Sequence, residues 1–203
     1  MTDELTCDEF LGGRIRLWQP REGYRAGVDP VLLAAAVPAE HGQEVLELGC
    51  GAGAAILCLG VRVEGLALTG IELQRDYAAL ARQNSEDNDV PLEVIEADLR
   101  NLPSELRQRL WHHILVNPPY FDRSASTASA DHGRDTALGG DTPMTQWIDV
   151  AARRLRPKGT LTLVQRIERL PEVLASCEGR LGSIVVRPLA PRPGRAPKLF
   201  LSK

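Results

Sequence analysis

Along the chain the apolar positions keep two rhythms. Val45-Leu46-Leu48, Ala67 to Glu72, Leu92-Val94-Ile95, Ile114-Leu115-Val116 and Thr160 to Gln165 are short apolar runs closed by glycine, proline or an acid. Runs of this length are too short for buried helices and read as parallel strands covered on both faces. Between them the period changes. Leu73 to Asn88 places Leu73, Tyr77, Leu80 and Ala81 on one stripe with a polar Asn84, and Met144, Trp147, Ile148, Ala151 and Leu155 form another; both are amphipathic helices. Arg169 to Cys177 reads as a further helix. Val31 to Val37 forms one as well, with Asp29 as N-cap and Pro30 in the first helical position. Thr142 and Pro143 take the same roles before Met144. Ser183 to Arg187 and Lys198 to Ser202 are joined by a proline-rich loop too short for a crossover helix, so these strands pair antiparallel. Phe10, Leu11, Ile15, Leu17 and Trp18 suggest short strands or irregular structure that packs onto something else. The alternation predicts an α/β fold, a seven-stranded mostly parallel sheet with an antiparallel last strand and helices on both faces.

The chemistry concentrates at strand ends. Glu44 to Gly53, EVLELGCGAG, is a strand that breaks into Gly49, Gly51 and Gly53 before a helix starts at Ala54. Glycines there permit positive φ and let backbone N–H groups approach a ligand outside the carboxyl end of the strand. The spacing approximates the dinucleotide fingerprint without matching it. Glu72 closes the next strand about 20 residues on, where an acid binds ribose hydroxyls. Glu47 adds an acid beside the loop that suits a cationic ligand better than a pyrophosphate. Asp98 follows the third strand, and the fourth runs straight into Asn117-Pro118-Pro119-Tyr120-Phe121. Residues 122–142 lack periodicity and read as a mobile substrate loop. Each motif alone has a plainer reading: Asn-Pro-Pro is an ordinary turn, and Glu72 or Asp98 could cap a helix. Their joint order at successive strand ends is what points to a site.

Composition narrows the field without deciding it. The 203 residues suit one domain, and 43% hydrophobic with 25% charged residues is ordinary for a globular protein. No stretch approaches a membrane span and the N-terminus lacks a signal-peptide pattern, so a cytoplasmic location is expected. Cys7, Cys50, Cys58 and Cys177 show no C-x-x-C spacing, and His41, His112, His113 and His132 show no ligand spacing, so no metal is expected. The net charge of −3 argues against indiscriminate nucleic-acid binding. Both ends are nevertheless locally basic: Arg14, Arg16, Arg21 and Arg25 near the start, and Arg192, Arg195 and Lys198 in an acid-free stretch from Gly179 onward. They form a phosphate-binding stripe if they meet in space, and otherwise they are solubilising.

ELGCGAG, GIE, EAD and VNPPYF, in this order and each at a strand end, resemble the Rossmann-type S-adenosylmethionine-dependent methyltransferases over nearly the whole chain. In that family NPPY marks members that methylate a planar nitrogen. FLGGRIRLWQPREGYRAGVDPVLLAAAV is similar to the N-terminal region of bacterial tRNA adenine-N6 methyltransferases acting on valine tRNA. The resemblance implies one methyltransferase domain over 1–203, with 1–40 a substrate and cofactor lid and 41–203 a Rossmann-like core. It implies S-adenosylmethionine held by Asp29, Glu47, Gly49, Gly51, Gly53, Glu72, Leu73, Asp98, Leu99 and Asn117, with Glu72 on the ribose and Asp98 on the adenine amino group. Asn117 and the Pro118 carbonyl would accept the hydrogens of the target amine, Pro119 would help hold that geometry, and Tyr120 and Phe121 would stack on the acceptor base. Arg25, Arg192 and Arg195 would contact the RNA substrate, a tRNA in that family's pattern. Two other readings stay open: a protein glutamine-N5 methyltransferase, whose amide acceptor is equally planar, and a nicotinamide-dependent oxidoreductase or non-catalytic nucleotide-binding module.

Overall fold

A computed structural model describes residues 4–120 and 142–203. The chain opens with a hairpin, β1 (Leu5–Phe10) and β2 (Ile15–Pro20), followed by α1 (Asp29–Ala36), β3 (Glu44–Leu48), α2 (Ala54–Arg62), β4 (Ala67–Glu72), α3 (Arg75–Asp87) and β5 (Leu92–Glu96). Then come α4 (Ser104–Gln108), β6 (Trp111–Val116), α5 (Met144–Arg154), β7 (Leu155–Arg166), α6 (Leu170–Cys177), β8 (Val186–Leu189) and β9 (Leu199–Ser202). Phe121 and the expected loop up to residue 141 lie outside the described residues.

The seven-stranded sheet has the order β5-β4-β3-β6-β7-β9-β8. Strands β3 to β7 pair in parallel, and β9 is antiparallel to both β7 and β8. Period-two alternation explains why the strands read as continuous apolar runs. Val45, Leu115, Val164 and Leu201 face a core with α1, α2 and the hairpin, whereas Leu46, Leu48, Ile114, Val116, Leu163 and Phe200 face a second core with α4, α5 and α6. The order of strands reverses between β4 and β6 on either side of β3, so a cleft opens at the carboxyl ends of β3 and β6, the switch point where open α/β sheets bind ligands.

The N-terminal segment forms the short strands expected of it, paired as a regular hairpin, and α3 supplies a partner for its free edge. Asn84 Oδ1 accepts from Trp18 N at 2.8 Å and its Nδ2 donates to Trp18 O, while Asn88 does the same for Arg16 N and O. Two asparagines one helical turn apart thus mimic a neighbouring strand, which accounts for the polar position in the apolar stripe of α3. Asp29 is no N-cap: α1 begins at Asp29 itself after Val28, without a side-chain cap. Pro143, not Thr142, caps α5, and its carbonyl accepts from Gln146 N. The expected helix from Leu73 starts at Arg75, since Glu72 Oε1 accepts Gln74 N and holds the preceding turn open. Pairing of β7 starts at Leu155 opposite Trp111, then shifts register through Lys158, at φ +67°, before Thr160 meets His113.

Candidate active site

The glycine loop after β3 is shaped by carboxylates. Glu47 points to the α2 side of the sheet, and its Oε2 accepts from Ile56 N at 3.0 Å, satisfying an N–H in the first turn of α2 that no intrahelical carbonyl reaches. Burial pushes its carboxyl up to about 8, with nearby Glu72 adding in the same direction and the Ile56 bond opposing. Glu72 accepts from Gly51 N and from Gln74 N, each at 2.8 Å; burial still raises its pKa against these bonds.

The three glycines divide the work. Gly51 has φ +55° and a Cβ there would meet nothing within 4 Å, so the backbone lies open to the cleft. A Cβ on Gly49 would come 2.8 Å from Trp147 Cη2, so this position is fixed by α5 packing as well as by any ligand. Gly53, at φ +88°, is the residue before α2 and does not line the cleft.

The cleft, open to solvent on one side, has a cavity volume of about 150 Å³ and is lined by Gly49, Gly51, Glu72, Leu73, Asp98 and Leu99 from the glycine loop and the ends of β4 and β5 and by Asn117, Pro118, Pro119 and Tyr120 from the end of β6. The residues expected on successive strand ends are therefore brought together. Asp98 is engaged within the chain: Arg100 donates to both its oxygens from Nε, to Oδ2 from Nη2 and to Oδ1 from its backbone N, which holds the carboxyl below the usual carboxylate range.

Past the end of β6, Tyr120 donates its hydroxyl to Asp29 Oδ2 at 2.6 Å; burial and this acceptor raise its pKa. Asn117 Nδ2 donates to the Tyr24 hydroxyl at 3.2 Å, and among the described residues nothing donates to the Asn117 oxygen. The fully buried Gln165 at the end of β7 donates Nε2 to the carbonyls of Pro118 and Pro119 at 3.3 and 3.4 Å. Tyr24, Trp147 and Gln165 carry no motif. The one signal available for Gln165 is a polar residue closing an otherwise apolar strand.

The basic residues do not form one stripe. Arg14 donates to Val61 O near the end of α2, and Arg16 pairs through its backbone with Asn88 just past α3, at the end of the sheet away from the cleft. Arg25 is bound to Asp8 at 2.6 Å, to Thr6 and to Pro20 O. The loop with Arg192, Arg195 and Lys198 lies at the same end of the sheet as the cleft, because β9 starts beside the carboxyl end of β7: Leu199 pairs with Arg166, and Ile167 N donates to Lys198 O.

The methyltransferase small domain family matches residues 26–180. The chain belongs to that family. Among relatives, a tRNA1(Val) (adenine(37)-N6)-methyltransferase of Cronobacter sakazakii is 32% identical over 108 residues, 52% of this chain and 44% of that protein. A protein of the same name from Tolumonas auensis is 28% identical over 173 residues, covering 82% of this chain and 69% of its own length. The chain thus spans less than half of the first relative. Among solved structures, the protein Atu636 of Agrobacterium tumefaciens, named as a predicted O-methyltransferase, superimposes with a TM-score of 0.70 at 28% identity, covering 86% of this chain and 78% of its own. TrmN from Thermus thermophilus gives 0.60 at 20% identity, covering 86% and 47%. These names disagree about the acceptor atom, as expected where a fold hosts many acceptors.

S-adenosylmethionine is the cofactor of such a domain, and the residues fit it. Open backbone at Gly51 leaves room for close approach, Leu73 presents an apolar side chain 48% exposed beside the cleft, and acids stand at the ends of β4 and β5.

Proposed function

We propose that this chain is an S-adenosylmethionine-dependent N-methyltransferase acting on the exocyclic N6 amine of adenine in RNA, tRNA foremost, in the cytoplasm. The observation that carries the reading is Asn117, whose amide oxygen has no partner among the described residues and lines the same cleft as the glycine loop. The bound cofactor supplies an activated methyl group on a sulfonium. The protein supplies placement, since such transfer needs in-line alignment in a dry site and little else. Asn117 Oδ1 and the lone pair of the Pro118 carbonyl that Gln165 leaves free accept the two hydrogens of the amine. That turns its nitrogen lone pair out of conjugation and toward the methyl carbon. With the methyl donor bound, the nitrogen held in this way would take its methyl group, and the spare amine proton would leave to solvent.

Glu72 and Leu73 would hold the ribose, Asp98 and Leu99 would face the adenine, and Gly49 and Gly51 would shape the methionine end, with Glu47 and Gly53 acting through the start of α2 and Asp29 through Tyr120. Tyr120 flanks the acceptor base, and Arg192 and Arg195 lie on the side from which RNA enters. The names of the tRNA-modifying relatives support this acceptor. Membership of a methyltransferase family sets aside the nicotinamide oxidoreductase alternative.

Incubating the protein with methyl-labelled cofactor and separate RNA, DNA and protein fractions, then mapping the modified residue, tests the reading. Label on an RNA adenine is expected. Label confined to a protein glutamine would replace RNA by the other planar acceptor, and cofactor binding without transfer to any fraction would leave a silent binding module.

A further inference from the structure

A side-chain amide presents a donor at one end and an acceptor at the other, and rotating it by a half turn exchanges them. Asn117 can accept amine hydrogens only with its oxygen toward the cleft, so something must choose that end. The hydrogen-bond partner of the other end is Tyr24, in the connection between β2 and α1, and its hydroxyl accepts Asn117 Nδ2. Tyr24 is itself held in place: its backbone carbonyl accepts the Tyr77 hydroxyl of α3 at 3.1 Å. Its ring lines the cleft beside Gly49 and Gly51.

A phenol could also turn its proton toward Asn117 and take the amide oxygen, which would leave an N–H₂ group facing the amine. The surroundings oppose this. Burial, with Glu47 and Asp29 adding to it, keeps the Tyr24 hydroxyl protonated and neutral, and the Asn117 atom directed at it is Nδ2, so the hydroxyl oxygen serves as the acceptor.

We propose that Tyr24 is a positioning residue for methyl transfer: its hydroxyl selects the orientation of the Asn117 amide and so keeps the amide oxygen facing the acceptor amine. The proposal rests on the reading of Asn117 as the group that receives a planar amine.

Tyr24→Phe removes one oxygen and keeps the ring, and Asn117→Asp supplies a background in which both ends are oxygens and no choice remains. In the full chain, Y24F is expected to lower kcat by about tenfold, the worth of one neutral hydrogen bond, with cofactor Kd and RNA KM within about twofold. In the N117D background the same change should cost less than about threefold. Equal losses in both backgrounds, unchanged turnover, or a loss residing in cofactor Kd would overturn the proposal. A readout without turnover separates it from the functional reading. In ¹⁵N NMR spectra the Asn117 side-chain N–H₂ protons should shift and lose protection in Y24F, and an unmoved resonance would overturn the proposal whatever the activity. If that resonance responds and the wild-type protein methylates neither RNA nor protein, the positioning contact stands and the assigned reaction falls.

Discussion

The two sides of the cleft are built with opposite chemistry. At the ends of β3 and β4, Glu47 and Glu72 hold their loops by accepting backbone N–H groups from Ile56, Gly51 and Gln74. At the end of β6 the Asn-Pro-Pro segment is held by the Tyr24 hydroxyl and by donors to its carbonyls, the Gln165 amide and the Arg169 guanidinium, with the acid Asp29 confined to the Tyr120 hydroxyl. Acids are useful where a ligand presents hydroxyls and positive charge. At the amine a carboxylate would bring a titrating group beside the nucleophile, whereas an amide oxygen accepts hydrogens and stays neutral across the working pH range. On the proposed function one side would bind and the other orient, and variants on each should show different kinetic signatures.

The largest separation is expected at Asn117. Asn117→Ala should reduce single-turnover methyl transfer by about 10²–10³-fold, the cost of removing one preorganised polar group in a dry site, while calorimetric cofactor affinity stays within a few-fold. If both quantities fell together, the two sides would not be distinct.

Glu72→Ala should show the reverse pattern. Loss of a hydrogen bond to a charged group is worth about 1.5–3 kcal/mol, or about 10- to 150-fold in cofactor Kd, with the chemical step at saturating cofactor much less affected. The carboxylate also holds Gly51 N and Gln74 N, so a modest drop in Tm should accompany it. Unchanged affinity in a folded variant would move the cofactor elsewhere.

Glu47 sharpens the acidic side through pH. Its folded-state pKa, about 8, lies above the ordinary 4.5, so the folded protein holds a proton that the unfolded chain releases. Its contribution to stability is complete below about pH 4.5 and is lost as pH rises toward 8, with a slope of at most about 1.4 kcal/mol per pH unit. Glu72, also raised, slopes in the same direction. Glu47→Gln keeps an oxygen for Ile56 N and should flatten the decline of Tm between about pH 5 and 8. A variant with the wild-type slope would mean that Glu47 is ionised throughout.

Strand ends were legible because glycine, proline and acids punctuate them: Gly51, Glu72, Asp98 and Asn117 converge on one cleft as their order implies. Contacts made across the sequence were not. Asp29 before Pro30 carries the local signature of a cap, yet its carboxylate is taken by Tyr120, 91 residues away. Asn84 breaks an apolar stripe for no local reason, and only β2 and the Ala52 carbonyl, both brought against it by the fold, explain the amide. Tyr24 lies 93 residues from Asn117 with no local pattern to mark it. Arg25 and Arg192 are alike in sequence, and only pairing in space distinguishes the one bound to Asp8 from the one on the loop at the cleft's end of the sheet.

That last distinction yields the smallest expected effect. Arg192→Ser with Arg195→Ser should weaken RNA binding and lower its salt slope by about 0.7 for each phosphate partner removed on single-stranded RNA, or about 0.9 on duplex. Arg14→Ser with Arg16→Ser should leave both quantities unchanged, because Arg14 is spent on Val61 O and both residues lie at the opposite end of the sheet. Removing the same number of positive charges in each pair cancels any effect of net charge alone. Filter-binding titrations across salt concentrations with S-adenosylhomocysteine present would read the difference. Equal slopes for the two pairs would make the basic residues solubilising and leave the Arg192 loop without a role in RNA binding. A weakening confined to the Arg14 and Arg16 pair would place the RNA along the hairpin, far from the Asn117 side.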